Sequence, residues 1–120
     1  MSEQPMPDWT MGTEAIVYQC CAACGNVQYF RRSFCCVCGA PDPVEKCASG
    51  EGRVYASSLV CRAATAEARA HVPYNIVLVD TAEGFRMMAH GNNDLRIGDK
   101  VKARFARFAD RLIPYFEREV

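Results

Sequence analysis

The residues best suited to chemistry are six cysteines in two groups within residues 18–40, YQCCAACGNVQYFRRSFCCVCGA. Each group contains a Cys-x-x-Cys pair followed directly by glycine, CAACG at 21–25 and CCVCG at 35–39. Two intervening residues allow both sulfurs to point at one ion, and the glycine relieves the turn that follows. This spacing predicts a metal site with four thiolate ligands, Cys21, Cys24, Cys35 and Cys38.

Ten residues separate the two pairs, a gap that suits the short hairpin of a zinc ribbon. Four thiolates close a tetrahedral site, whereas a catalytic zinc keeps an open position for water. We therefore expect a structural Zn(II) ion that stabilises a module too small to fold on its own core. Iron in the same site would be a redox centre, and the spacing does not distinguish the two metals.

The other cysteines are expected to be packed or partly exposed thiols, because free cysteine is often buried as a small apolar residue. Two of them adjoin ligands and offer competing ligand frames. The Cys-x-x-Cys frames are preferred because their backbone amides reach the thiolates and a glycine follows each pair. The cysteines left out of the site are Cys20, Cys36, Cys47 and Cys61.

The chain has 120 residues, which suits one ordinary domain, or one small domain plus a metal-stabilised module. Its formal net charge is zero, so no overall field attracts nucleic acid or an anionic membrane. The first ten residues lack the pattern of a secretory signal, and no apolar run is long enough to span a membrane. We expect a cytoplasmic protein, in which clustered cysteines indicate a metal site rather than disulfides.

Composition divides the chain into three zones, predicted as an N-terminal segment (1–18), a zinc ribbon (19–45) and a barrel (46–120). In the first zone Asp8 is suited to cap a short helix that begins at Trp9. Alternating residues then predict a strand over 14–20 that leads into the first cysteine pair. Pro, Gly and acidic residues are concentrated in PDPVEKCASGEG, residues 41–52, which marks the best boundary between modules.

The third zone has the pattern of a small antiparallel barrel with four or five strands. Val, Tyr, Ser and Leu dominate residues 53–61, residues 74–90 form a predicted hairpin, and apolar residues alternate with basic ones over 101–105. Residues 62–72 are expected to form a short helix or an ordered loop. Such an inserted helical segment is typical of an OB-like barrel, although periodicity alone does not separate it from an SH3-like one.

Smaller features refine this barrel. A break in the alternation at 106–108 predicts a bulge, and Pro114 predicts that the last strand, 113–116, lies at an edge. The glycines expected to mark turns are Gly52, Gly84, Gly91 and Gly98.

The order of these features resembles a family that joins a rubredoxin-like zinc ribbon to an OB-fold and is found beside acyl-CoA enzymes. The segments that carry the resemblance are VYQCCAACG, FCCVCGA, SGEGRVYASSLV, VPYNIVLVD, EGFRMMAHG and LRIGDKVKARF. It implies a mainly β protein: a short N-terminal helix, a rubredoxin-like zinc ribbon, and then a small OB-fold antiparallel β-barrel. Family members usually have prolines between the knuckles and in the second one, where this chain has Tyr29, Phe30 and Cys36.

The resemblance also implies a function. Its members are non-catalytic subunits that dock a larger thiolase-like catalytic subunit and help to bind or channel an acyl-CoA thioester. A retro-aldolase or an acyltransferase is the alternative partner. A single-stranded nucleic-acid module is an alternative of another class, which the zero net charge disfavours because such modules need a basic groove.

The residues that could serve this function are of two kinds, and no catalytic residue is predicted. His71 and His90 are expected at a loop or strand end, because neither has an evident partner. The candidates for partner docking are Trp9, Tyr29, Phe30, Arg31 and Arg32. The arginines that could meet the phosphates of coenzyme A are Arg62, Arg69, Arg86 and Arg104.

Overall fold

A computed structural model describes residues 6–62, 65–70 and 72–119 of the chain. Within these residues strands predominate, which confirms the mainly β prediction. A single turn of 3-10 helix spans Trp9–Met11, and helix α1 spans Ala66–Arg69. The strands are β1 (Val17–Cys20), β2 (Val27–Gln28), β3 (Val44–Cys47), β4 (Glu51–Val60), β5 (Tyr74–Thr81), β6 (Arg86–Gly91), β7 (Lys100–Phe108) and β8 (Arg111–Arg118).

The N-terminal module is a three-stranded sheet in the order β2-β1-β3. The predicted cap at Asp8 is present, since its carboxylate accepts a hydrogen bond of 3.0 Å from the amide of Thr10. The first cysteine pair forms the turn between β1 and β2, and the second lies in the long return from β2 to β3. The boundary expected between residues 45 and 46 falls inside β3, which pairs with β1.

The second module is a closed barrel in the order β4-β5-β6-β8-β7, as the sequence pattern predicts. All neighbours are antiparallel except β6 and β8, which pair in parallel at Tyr115 and Phe116. This closure makes the prediction of an edge at Pro114 wrong, because β8 lies between β6 and β7 and Pro114 is fully buried. Proline is tolerated there because it lies beyond the short ladder with β6.

The positions of the bulge and of two glycines also differ from those predicted from the sequence. β7 pairs residue for residue with β8 through Phe108, and the register shift lies instead in β4, between Val54 and Ala56. Gly52 and Gly91 lie within strands rather than at turns. A Cβ at Gly52 would be 2.6 Å from Val79 Cγ1, so that glycine permits close packing against the neighbouring strand β5.

The two modules are packed together through aromatic rings. The ring of Phe85, in the turn before β6, stacks on Tyr18 at 5.1 Å and on Tyr29 at 5.3 Å. Ile16, just before β1, belongs to the same buried cluster as the barrel residues Val77 and Val79. The ribbon therefore shares the apolar core of the barrel. No helix among the described residues is long and apolar enough to cross a membrane.

Candidate metal centre

The four predicted ligands meet in the structure, with every Sγ within 4.8 Å of the other three. The Sγ atoms of Cys21 and Cys38 are 3.5 Å apart, and those of Cys24 and Cys35 are 3.6 Å apart. A tetrahedral zinc site with Zn–S bonds of about 2.3 Å requires sulfur–sulfur separations of about 3.8 Å. The arrangement therefore fits a tetrahedral ion held by four thiolates.

The two cysteine pairs have the same local structure. The amide of Gly25 donates to the carbonyl of Cys21 at 2.9 Å, and the amide of Gly39 donates to the carbonyl of Cys35 at the same distance. Both glycines have left-handed backbone angles, with φ of 78° and 77°. That conformation is costly for other residues, which explains why a glycine follows each pair.

Backbone N–H groups favour the thiolate form of two ligands. The amides of Cys38 and Val37 lower the pKa of the Cys35 thiol to about 6. The amide of Cys24, at 3.5 Å from the sulfur, is the largest cause that lowers the pKa of Cys21. Hydrogen bonds to a charged sulfur stabilise that charge and so prepare it for a cation.

Cys24 behaves differently. The amide of Asn26 lowers the pKa of the Cys24 thiol, but desolvation and the neighbouring thiols outweigh it and raise this pKa to about 12. Four thiols at this distance cannot all ionise without a cation, because adjacent thiolates repel each other. A bound dication removes the obstacle, and the four sulfurs then complete its coordination shell.

The other cysteines lie outside the four-sulfur cluster. Cys36, Cys47 and Cys61 are exposed, and Cys20 is half-buried within β1. The Cys36 sulfur accepts a hydrogen bond of 3.6 Å from the side-chain amide of Asn26. Among the residues that the structure describes, no second group of histidine, cysteine or carboxylate side chains comes together in this way.

The tip between the two knuckles is partly held by intramolecular contacts. Arg31 forms ion pairs with Asp8 at 3.2 Å and Glu45 at 3.0 Å, and it also donates to the carbonyl of Met6. The indole of Trp9 donates to the hydroxyl of Tyr29 at 2.9 Å. Three of the five docking candidates therefore also join the N-terminal segment to the ribbon.

Several large apolar side chains of the ribbon are exposed. Phe30 is 75% exposed, and Arg32 beside it is also exposed. The other large apolar side chains exposed on this module are Met11, Phe34, Val37 and Val44. Phe30 is the most exposed of them, which makes the tip around it a candidate interaction surface.

Comparisons with known proteins agree with both modules. Residues 9–44 match the family model described as "ChsH2, rubredoxin-like zinc ribbon domain". Residues 45–106 match the one described as "ChsH2, C-terminal OB-fold domain". The chain belongs to the ChsH2 family. The rubredoxin-like ribbon and the OB-fold expected from the resemblance are thereby confirmed, and the SH3-like alternative is set aside.

Two solved structures are similar to this ChsH2-family chain. One, "Ltp2-ChsH2(DUF35) aldolase", is 25% identical over 88% of this chain and 86% of that one, with a TM-score of 0.75. The other is a protein of unknown function from the DUF35 family of Sulfolobus solfataricus. It is 17% identical over 88% of this chain and 76% of that one, with a TM-score of 0.59, and supports the fold alone. No curated protein matches the chain.

The candidate arginines lie on different elements of the ChsH2-type barrel. Arg86 forms an ion pair of 2.6 Å with Asp80, and its guanidinium lies 3.5 Å from the centre of the Tyr55 ring. Arg104 is paired at 3.6 Å with Glu117 on β8. Arg62 is exposed in the loop after β4, and Arg69 ends α1, whereas His71 lies outside the described residues.

A cleft that the sequence did not reveal lies beside β6. It has a volume of about 460 Å³ and is lined by Tyr74, His90 and Phe108, together with Arg107 and Tyr115. The rings of Tyr74, His90 and Phe108 pack at 4.5–5.2 Å from one another. His90 indeed lies near the end of a strand. The predicted hairpin over 74–90 brings Tyr74 close to His90, whereas Phe108 could not be predicted as a neighbour, because β7 is linked to β6 through β8.

Proposed function

We propose that this ChsH2-family chain is a non-catalytic, zinc-binding subunit of an acyl-CoA enzyme complex, in which it docks a larger catalytic subunit. The observation that carries the proposal is the likeness to "Ltp2-ChsH2(DUF35) aldolase", which extends over both modules at a TM-score of 0.75. That name couples a ChsH2 chain with a second protein and with aldolase activity. It supports an aldolase partner ahead of the thiolase or acyltransferase that the sequence also allowed.

Zinc is the ion we assign to the four cysteines. The sulfur–sulfur distances of 3.5 and 3.6 Å suit a tetrahedral ion, and zinc-ribbon sites with four thiolates take zinc as a structural metal. When bound, the ion supplies cross-linking between the two knuckles rather than a reactive centre. Metal analysis of the purified protein tests the assignment. Colourless protein that contains one zinc ion per chain supports it, whereas visible thiolate-to-iron absorption would indicate a redox centre.

The tip of the ribbon around Phe30 is the surface we assign to the catalytic subunit. Phe30 stands out from the tip, while Arg31 and Tyr29 behind it are held by the contacts described above. A large apolar side chain whose neighbours are held by hydrogen bonds and ion pairs has the character of a binding hot spot, because less entropy is lost when a partner covers it. Arg32 lies beside Phe30 and would add charge at the rim of the contact.

The cleft beside β6 is the place on the barrel that we assign to the acyl-CoA thioester. The outward face of OB strands commonly binds ligands, and the cleft offers aromatic rings of Tyr74, His90 and Phe108 with the cation of Arg107 at its edge. Arg104 is directly opposite Tyr115, a residue of the cleft lining, on the neighbouring strand. Arg62 and Arg86 remain candidates for the phosphates.

Co-expression with an aldolase-like large subunit, sought among the neighbouring genes, tests the proposal. We expect the two chains to co-purify, and the pair to cleave a β-hydroxyacyl-CoA thioester by a retro-aldol reaction that this chain alone does not catalyse. A thiolase assay on the same preparation distinguishes the alternative partner. A large subunit that is stable and fully active without this chain would contradict the proposal.

A matched pair of variants tests the docking surface. Phe30 on the ribbon and Ile97 on the barrel are equally exposed, at 75% and 74%. We expect Phe30→Asp to weaken the complex by about tenfold or more, the usual effect of losing an aromatic hot spot. Ile97→Asp should leave the affinity unchanged. Equal loss in both variants, or in neither, would contradict the assignment of this surface, provided that both retain zinc.

A further inference from the structure

Two buried glutamines face each other on β1 and β2, the strands joined by the first cysteine pair. Gln19 on β1 and Gln28 on β2 are opposite one another in the strand register, and they are only 4% and 9% exposed. The side-chain amide of Gln28 donates to the side-chain oxygen of Gln19 at 2.7 Å. Buried amides are costly unless all their polar atoms have partners, so the remaining contacts of the pair indicate what it holds.

The side chain of Gln28 forms hydrogen bonds to the backbone on both sides of one metal ligand, Cys35. Its side-chain oxygen accepts from the backbone amide of Cys36 at 3.1 Å, and its nitrogen donates to the carbonyl of Phe34 at 3.3 Å. These two backbone groups lie immediately before and after Cys35. The backbone on both sides of that ligand is therefore attached to the strand that follows the first knuckle.

Gln19 holds the middle of the tip in the same manner. Its side-chain nitrogen donates to the carbonyl of Arg32 at 3.0 Å, and its oxygen accepts from the amide of Arg32 at 2.9 Å. This two-point contact resembles the pairing of one strand with another. Together the two side chains fix the segment from Arg32 to Cys36, which has no strand of its own beyond a single bridge between Phe34 and Pro41.

We propose that Gln28, held in place by Gln19, is a positioning residue that keeps Cys35 in the geometry required for metal binding. The inference rests on the zinc site of the proposed function. The first knuckle is formed by a hairpin turn, but the second must be placed against it by long-range contacts. Without the Gln28 amide, binding of the ion would have to order this segment itself, and the cost of that ordering would be subtracted from the affinity.

The substitution Gln28→Met tests the inference, because methionine has a similar length and lacks the amide. We expect zinc affinity, measured by competition with a chromophoric chelator, to fall by about 10–100-fold, the usual effect of losing an outer contact of a metal ligand. Absorption bands of the cobalt(II)-loaded variant should also shift, since they report the geometry of the thiolates. Thr81→Val is the control for the loss of a buried polar group elsewhere. It removes a hydroxyl of the barrel that donates to the carbonyl of Phe85 at 2.8 Å, and it should leave the zinc affinity unchanged.

The outcomes separate this inference from the proposed function. Zinc affinity of Gln28→Met within twofold of the unmodified chain, with unchanged cobalt bands, overturns the role of Gln28 and leaves the zinc site standing. An unmodified chain that binds no zinc overturns both. If Gln28→Met does not fold, amide exchange in the zinc-loaded chain decides: protected amides at Arg32 and Cys36 support the inference, and fast exchange at both overturns it.

Discussion

Removal of the ion should open the ribbon and leave the barrel intact. The proposed ion would join two knuckles whose inner ligands, Cys24 and Cys35, are separated by ten residues. A covalent cross-link closing a loop of about 15 residues stabilises a fold by about 3 kcal/mol of chain entropy. We take this as the least that four metal–sulfur bonds contribute to the ribbon. It corresponds to a change of about a hundredfold in the equilibrium between open and closed forms.

Hydrogen exchange measures this change at individual amides. The amides of Gly25 and Gly39 donate to the carbonyls of Cys21 and Cys35, so their exchange reports the two knuckles directly. We expect both to exchange about a hundredfold faster after chelation, or in the variant Cys24→Ser. Amides of β5, whose buried side chains include Val77 and Val79, should keep their rates because the closed barrel does not depend on the ion.

Two results would refute this reasoning. Unchanged exchange at both glycines after chelation would mean that packing of the ribbon against Phe85 is sufficient to hold the knuckles. Equal loss of protection in β5 would mean that the two modules unfold together, since the aromatic contacts of Tyr18 and Tyr29 would then couple the barrel to the ion. Readdition of zinc should restore the original rates and controls for irreversible thiol oxidation.

Three further perturbations follow from the contacts. Arg31→Met leaves the carboxylates of Asp8 and Glu45 without their cation at side-chain exposures of only 10% and 18%. We expect a loss of about 2 kcal/mol in denaturant unfolding, against less than about 1 kcal/mol for Arg104→Met at an exposed pair. Gly52→Ala places a methyl group 2.7 Å from the carbonyl oxygen of Asp80 and should cost about 2–3 kcal/mol, whereas Ser58→Ala at an exposed position of the same strand should cost little. The amide of Arg96 and then the guanidinium of Arg118 lower the pKa of Asp99. The stability that Asp99 contributes is therefore present at neutral pH and lost in acid, so the difference between Asp99→Ala and the unmodified chain should shrink below about pH 4 in thermal unfolding. A difference that grows in acid would contradict this sign.

Much of the metal centre could be predicted because its geometry is local. A Cys-x-x-Cys pair and the glycine after it form one turn, and the left-handed φ at Gly25 and Gly39 is a property of those few residues. The strands of the hairpin at 74–90 were predictable for the same reason, since alternation and the turn between them lie in contiguous residues.

The failures concern residues whose partners are distant in the sequence. Gly52 was expected at a turn, and only the approach of Val79 from the next strand shows why a side chain is excluded there. Pro114 was expected at an edge because prolines are usually found on edge strands. That prediction failed because the parallel contact of β8 with β6, which closes the barrel, leaves no mark in a local pattern. The ion pairs of Arg31 with Asp8 and Glu45 join three separate segments and likewise leave no mark in a local pattern, while the expected role of Arg31 in docking stays a prediction.

The sequence by itself determined which four sulfurs form the site, because ligand spacing and turn geometry are encoded within a few consecutive residues. Only the tertiary structure decided how the two knuckles are brought together. That step depends on Gln19 and Gln28, two unremarkable strand residues whose amides acquire their role when the chain returns past them. The physical reason is that buried hydrogen bonds join groups by proximity in space, which composition and periodicity do not record.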